Sequence, residues 1–260
     1  MIPSNGVGAG GLPPLKCGAT FDGQLDSPPA RPHLNYVIFR PCLPVRVTKA
    51  PAGPHYVHEI KADGFRLIAL REGTAVKLYS RGGTNWSRRY PLIAEALGHL
   101  RISSVSLDGE AVILDRNGRH DFDALWNHSR DDEARLLAFD IVELNGEDYR
   151  QKPLLVRKRR LARLLAKVRD GLEYVEHLTG DGATIFDHAC RLGLEGIVSK
   201  HVAHPYRSGR SRSWRKVKNP VHPSIVRVRE AFEAERRRGL TADAKAAPSK
   251  SSLAMPSPLK

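Results

Sequence analysis

Between residues 56 and 144 the chain repeats one pattern: a short apolar run of strand length, closed by a turn signal. The runs are Tyr56-Val57-His58, Leu67–Leu70, Ala75–Tyr79, Val105–Leu114 and Arg135–Leu144. Glu72-Gly73, Asn117-Gly118 and Asn145-Gly146 follow or join them. Glycine after Asn supplies the positive φ that tight hairpins require, so this pattern favours antiparallel pairing between neighbours. The first turn is chemically different from the rest. Glu59-Ile60-Lys61-Ala62-Asp63-Gly64-Phe65-Arg66 places one lysine between two apolar runs, with a glycine three residues on and an arginine five on.

A lysine attacks nothing while it is an ammonium ion; nearby cations, desolvation or a metal must first lower its pKa. Gly64 lets the chain turn or approach a ligand, and Arg66 offers a rigid fork suited to phosphate. The same octapeptide also reads as a solvated hairpin with ordinary surface charges.

Other segments extend the picture. Val45-Arg46-Val47 is a short extended piece, and residues 89–100 carry a helical apolar face through Leu92, Ile93, Ala96, Leu97 and Leu100. Ser80-Arg81-Gly82-Gly83-Thr84-Asn85 is a cationic loop leaving a strand. Asp108-Gly109-Glu110 interrupts the Val105–Leu114 run with carboxylates, which is costly unless they face a cleft, a metal or a basic partner. Phe122, Leu125 and Trp126 suit a short helix. Phe139 reads either as core or as a platform for a purine ring. An amphipathic helix is expected over 155–169, with Arg157-Lys158-Arg159-Arg160 as a solvated face or a backbone-contacting patch. A strand over Leu172–Glu176 and a helix over Ile185–Leu192 follow. Ile197–Lys200 is again a strand, and Pro205–Arg212 a basic loop. In Trp214-Arg215-Lys216-Val217-Lys218 the two lysines share one face, where a polyphosphate, a DNA backbone or open solvent would relieve their repulsion.

Charge points to the partner. The 260 residues hold 42 Lys and Arg against 28 Asp and Glu, a formal +14. Such an excess favours a polyanion, above all nucleic acid, and says nothing of fold. Three widely spaced cysteines form no CxxC pair, so neither a zinc site nor a disulfide framework is suggested. No apolar run approaches 18 residues and the N-terminus has no signal-like core, so a monomeric cytoplasmic, nucleoid-associated protein is expected, with no membrane contact. Residues 1–34 read as a flexible segment, 35–220 as one domain, 221–238 as a helix and 239–260 as a disordered tail.

Lys61-Ala62-Asp63-Gly64-Phe65-Arg66 resembles the KxDGxR motif of the covalent nucleotidyltransferases. In the same order, Ser80-Arg81-Gly82-Gly83, Leu107-Asp108-Gly109-Glu110, Ala138-Phe139-Asp140, Glu195-Gly196-Ile197-Val198-Ser199-Lys200 and Trp214–Lys218 resemble that group's later motifs. The similarity is closest to the ATP-dependent ligase module of bacterial end-joining DNA ligases and covers roughly residues 45–220. It implies an α+β, ATP-grasp-like adenylation fold with antiparallel sheets flanking a nucleotide groove. It implies ATP with Mg2+ or Mn2+, and Lys61 as the residue that takes AMP. Glu59, Ile60, Arg66, Arg81, Glu110, Phe139, Lys216 and Lys218 would bind the nucleotide, and Glu110 and Glu195 the metal. Arg81, Lys200, Arg207, Arg210 and Arg212 would touch DNA at nicks or ends, with a Ku-like bridging protein or other repair proteins as partners. The expected chemistry is AMP transfer to a 5′-phosphate followed by sealing with a 3′-hydroxyl. Two other readings stay open: an RNA ligase or other end-adenylating nucleotidyltransferase, and a non-catalytic basic module that binds DNA ends. Ligases of this kind usually carry an OB-fold domain after the last motif, and the roughly 40 residues after Lys218 are too short for one.

Overall fold

The computed structural model describes residues 40–225. The flexible segment expected over 1–34, the tail over 239–260 and all of the expected C-terminal helix beyond Ile225 lie outside the described residues.

Two sheets form the frame. In chain order the strands are β1 (Cys42–Arg46), β2 (Tyr56–Ile60), β3 (Phe65–Glu72), β4 (Ala75–Ser80), β5 (Ser104–Val112), β6 (Arg135–Leu144), β7 (Glu147–Asp148), β8 (Leu172–Tyr174), β9 (Gly196–His201) and β10 (Gly209–Lys218). The helices are α1 (Pro91–Gly98), α2 (Phe122–Trp126), α3 (Leu154–Leu165) and α4 (Gly182–Arg191). The small sheet has the order β1-β10-β9-β2, and the large sheet β4-β3-β5-β6-β7 with β8 beside β6. Pairing is antiparallel except for β1 with β10 and β6 with β8. The expected antiparallel sheets are therefore present, each with one parallel pairing.

Period-two alternation serves two cores at once. On β3, Leu67 and Ala69 face the main core with α1 and α3, whereas Ile68 and Leu70 face the small sheet. There they meet Cys42, Tyr206 and Trp214. β6 follows the same rule only because its register slips. Asp108 lies opposite Asp140 but Gly109 opposite Ala138, and Ser106 opposite Glu143 but Leu107 opposite Ile141. Phe139 and Val142 are the extra residues. Bulges of this kind re-aim side chains, and both residues turn toward the small sheet. Gly109 makes the close approach possible: a Cβ there would lie 2.6 Å from Leu136 Cδ1 and 2.8 Å from the Leu137 carbonyl oxygen.

Three expectations are corrected here. β5 runs unbroken through Asp108-Gly109-Glu110: Asp108 is paired with Arg66, and Glu110 faces the cleft. β10 begins at Gly209, so only the first part of the Pro205–Arg212 segment is loop. The Arg157–Arg160 run is not one solvated face. Its helix turns Arg157 and Lys158 fully inward and leaves Arg159 and Arg160 exposed. Arg157 grips Asp140 through two hydrogen bonds of 2.7 and 2.9 Å, both side chains at 0% exposure.

Candidate active site

The small sheet aligns its chemistry in rows. β9 lies between β2 and β10, and Val198 faces Glu59 on one side and Lys216 on the other. Gly196 pairs with Lys218, and its carbonyl accepts the Lys61 amide at 2.9 Å. Lys200 pairs with Trp214. Lys61, just after β2, and Lys218 of β10 thus flank a glycine, and only glycine fits there: its φ is +140°, and an added Cβ would collide with the Val217 carbonyl. Glu195, just before β9, reaches between the lysines. Its Oε2 accepts Lys61 Nζ at 2.5 Å and its Oε1 accepts Lys218 Nζ at 2.7 Å. The carboxylate is 2% exposed and the Lys61 side chain 20%. Burial works to raise the pKa of Glu195, but Lys61 and Lys218 outweigh it and hold it below the usual carboxylate value. Burial also lowers the pKa of Lys216, reinforced by Lys61 and Lys218.

The large sheet closes the other wall. Arg66 and Glu110 are register partners, and Leu137 follows beside Glu110. The Arg66 guanidinium holds Asp108 bidentately at 2.6 and 2.7 Å, donates to the Cys42 carbonyl at 3.0 Å and lies 4.5 Å from the Phe139 ring centre. Tyr206 donates to the same aspartate at 2.5 Å. Burial pushes Glu110 up to about 7, despite the pull of Lys61 and Arg66. Half-buried Phe139 meets Trp214 edge-on at 5.9 Å.

Between the walls lies a cleft of about 480 Å3, lined among others by Glu59, Lys61, Arg66, Arg81, Glu110, Phe139, Lys200 and Lys216. Its inner end is a buried triad. Glu59 pairs with Lys158 and with Lys200, each at 2.6 Å, all three nearly inaccessible. Lys200 Nζ also sits 4.0 Å from the Trp214 ring centre and 4.3 Å from that of Phe139. Burial alone would raise the Glu59 pKa, but the two ammonium groups bring it below its ordinary value. Several cations, Lys61 among them, and an aromatic side chain in one cleft suit a nucleoside polyphosphate.

Residues 45–218 match the family described as ATP dependent DNA ligase domain. The chain belongs to that family. The ligase domain is 37% identical over 186 residues to the multifunctional non-homologous end joining protein LigD of Pseudomonas aeruginosa, covering 70% of this chain and 22% of that protein. It is 30% identical to the SPbeta prophage-derived DNA ligase-like protein LigB of Bacillus subtilis, covering 66% of this chain and 64% of that one. Among solved structures it resembles mycobacterial DNA ligase D complexed with ATP and MES, at 34% identity and a TM-score of 0.61, over 70% of this chain and 60% of the other. It is thus closely related to bacterial LigD ligase modules, yet spans about a fifth of the length of the LigD relatives.

Most residues singled out from the sequence of the ligase domain meet in this cleft. Glu59, Ile60, Lys61, Arg66, Arg81, Glu110, Phe139 and Lys216 line it, and Glu195 and Lys218 join through Lys61. Lys200 is a correction. Expected on DNA, it is 1% exposed and part of the cleft's inner end, out of reach of a duplex. Arg207, Arg210 and Arg212 are exposed, and Arg210 also reaches the cleft. The sequence reading missed Lys158 and Trp214. For Trp214 the signal was present: it lies two residues before Lys216 and so shares its face. Among the described residues no group of three or more His, Cys, Asp or Glu side chains is arranged to hold a metal alone. Glu110 lines the cleft, and both oxygens of Glu195 are engaged by Lys61 and Lys218; magnesium commonly takes one or two carboxylates and completes its shell with phosphate and water.

Proposed function

We propose that Lys61 of this domain takes AMP from ATP and passes it to DNA ends. Lys61 Nζ, once it has lost a proton, attacks the α-phosphorus. The P–N bond forms, the bond to the bridging oxygen breaks and pyrophosphate leaves. An oxygen of a DNA 5′-phosphate then attacks the same phosphorus, the P–N bond breaks and the lysine regains its proton. The 3′-hydroxyl of the facing strand finally displaces AMP, joining the two ends. The observation that carries this reading is the Lys61–Glu195–Lys218 arrangement beside a half-buried phenylalanine in one cleft.

Phe139 offers its face to the adenine, with Glu59, Ile60 and Lys200 at the base end. Lys216, Lys218, Arg66 and Arg81 gather the phosphates, whose crowding is the main electrostatic barrier. Glu110 and Glu195 would hold Mg2+ or Mn2+, which supplies charge neutralisation at the phosphates. Arg207, Arg210 and Arg212 are exposed cations suited to a DNA backbone. The LigD relatives carry end joining in their name, which supports broken DNA as substrate and a Ku-like bridging protein as partner. Such a role places the protein in the cytoplasm, with the nucleoid.

The test is incubation with ATP labelled at its α-phosphate and magnesium. Covalent label on the wild type, absent from Lys61→Ala and chased onto nicked DNA, is the expected result. A folded wild-type protein that takes no label overturns the proposal.

A further inference from the structure

One imidazole beside the lysine turn has no part in the chemistry above. His120 lies on the short arm that follows β5. This arm is folded tightly back: Asp115 accepts the Asn117 and Arg119 amides through its side chain, Leu114 bridges to His120, and Asp121 caps α2. His120 is thereby fixed where its Nδ1 accepts the backbone N–H of Asp63 at 3.2 Å. Asp63 is two residues beyond Lys61. The same turn is held at its start by the Lys61 amide on Gly196, and at its end by Gly64, where a Cβ would collide with the Ala111 carbonyl.

A nitrogen that accepts a hydrogen bond carries no proton. The bond to Asp63 therefore requires neutral His120 with its hydrogen on Nε2. Protonation puts a hydrogen on Nδ1, and two N–H groups then face each other. We propose that His120 is a positioning residue: its unprotonated Nδ1 steadies the turn that carries Lys61, and protonating it loosens that turn and slows attack on ATP. The charged groups around the ring are Asp63 and Lys61 of the turn, Glu195 before β9 and Glu173 of β8. Burial pushes the imidazole below its ordinary value. Asp63 and Glu195 oppose this, Lys61 reinforces it and Glu173 opposes it, so the neutral form prevails at neutral pH.

This inference rests on the adenylation reading for its rate effect but not for its structural content, and two measurements separate them. The first is the NMR titration of the His120 ring, assigned by comparison with His120→Asn, in full-length protein without nucleotide. The expected result is the Nε2–H tautomer at pH 7.5 and a midpoint below that of an ordinary histidine. An Nδ1–H tautomer, or a midpoint at or above the ordinary value, overturns the proposal whatever the enzyme does. The second is the rate of covalent labelling between pH 5.5 and 8.5. Losing one backbone hydrogen bond slows His120→Ala about 3- to 10-fold at pH 7.5. His120→Asn restores most of that loss, because its Oδ1 can accept in place of Nδ1, and it flattens part of the acid limb because it cannot be protonated. An acid limb unchanged in both variants, or a His120→Ala rate equal to wild type, overturns it. Absence of label from the wild type sinks the adenylation reading and leaves the titration to decide the role of His120.

Discussion

Glu110 and Glu195 share a cleft and each feels Lys61, yet they titrate in opposite directions. Two ammonium groups keep Glu195 ionised, whereas burial lifts Glu110 to about 7. Opposed shifts in neighbouring carboxyls separate their roles. For Glu110 the folded value lies above the unfolded one. Its contribution to stability is therefore fully present below the unfolded value, near 4.5, and is lost as pH rises through 7. Glu110→Gln, which never ionises, should then be more stable than wild type at pH 8 by about 1–3 kcal/mol without divalent metal, the gap closing toward pH 4.5. Urea unfolding at both pH values checks this, and equal stability at pH 8 would falsify it. At this scale much was legible. Lys61, Glu110, Glu195, Phe139, Lys216 and Lys218 stand in readable motifs and meet as expected. Lys158 and His120 were hidden because each acts through an atom of a residue distant in sequence. Glu59, expected to bind the nucleotide, also carries the buried triad with its side chain.

Elements explain how a charge run can be half core. On α3 a single helical turn holds both the inward pair Arg157 and Lys158 and the outward pair Arg159 and Arg160. Helical phase puts Arg157 and Lys158 on the buried stripe with Leu154, Leu161 and Leu165, and the partners Asp140 and Glu59, on β6 and β2, make the burial of their charges tolerable. A buried pair contributes little net stability, but removing one member strands the other. Arg157→Ala should cost about 3–5 kcal/mol in urea unfolding, while Arg159→Ala stays within about 0.5 kcal/mol of wild type. Comparable losses in the two variants would contradict the burial described. The existence of β3 and the approximate span of most strands were likewise visible in the sequence. The two bulges of β6 were not, because nothing in an apolar run marks which residue is left unpaired.

For the whole molecule, charge and frame serve different ends. The two sheets press their walls together through an apolar seam that includes Ile68, Leu70, Val142 and Trp214, while the surplus of +14 acts outward. If Arg207 and Arg212 each neutralise one DNA phosphate, replacing both by Ala lowers the slope of log affinity against log salt by about 1.8. Fluorescence anisotropy with a nicked duplex across a salt series measures it, and an unchanged slope assigns the duplex to another face. The three-strand ladder of the small sheet carries a further consequence. Side chains on a strand alternate between faces, so a slip of β10 by one residue against β9 would present Arg215 and Val217 to the cleft and hide Lys216 and Lys218. The same slip would pull Trp214 out of the apolar seam, so one register sets both the packing of the two sheets and the placement of the lysines. Under the adenylation reading, the alignment of these two strands is thus as necessary to covalent labelling as Lys61 itself.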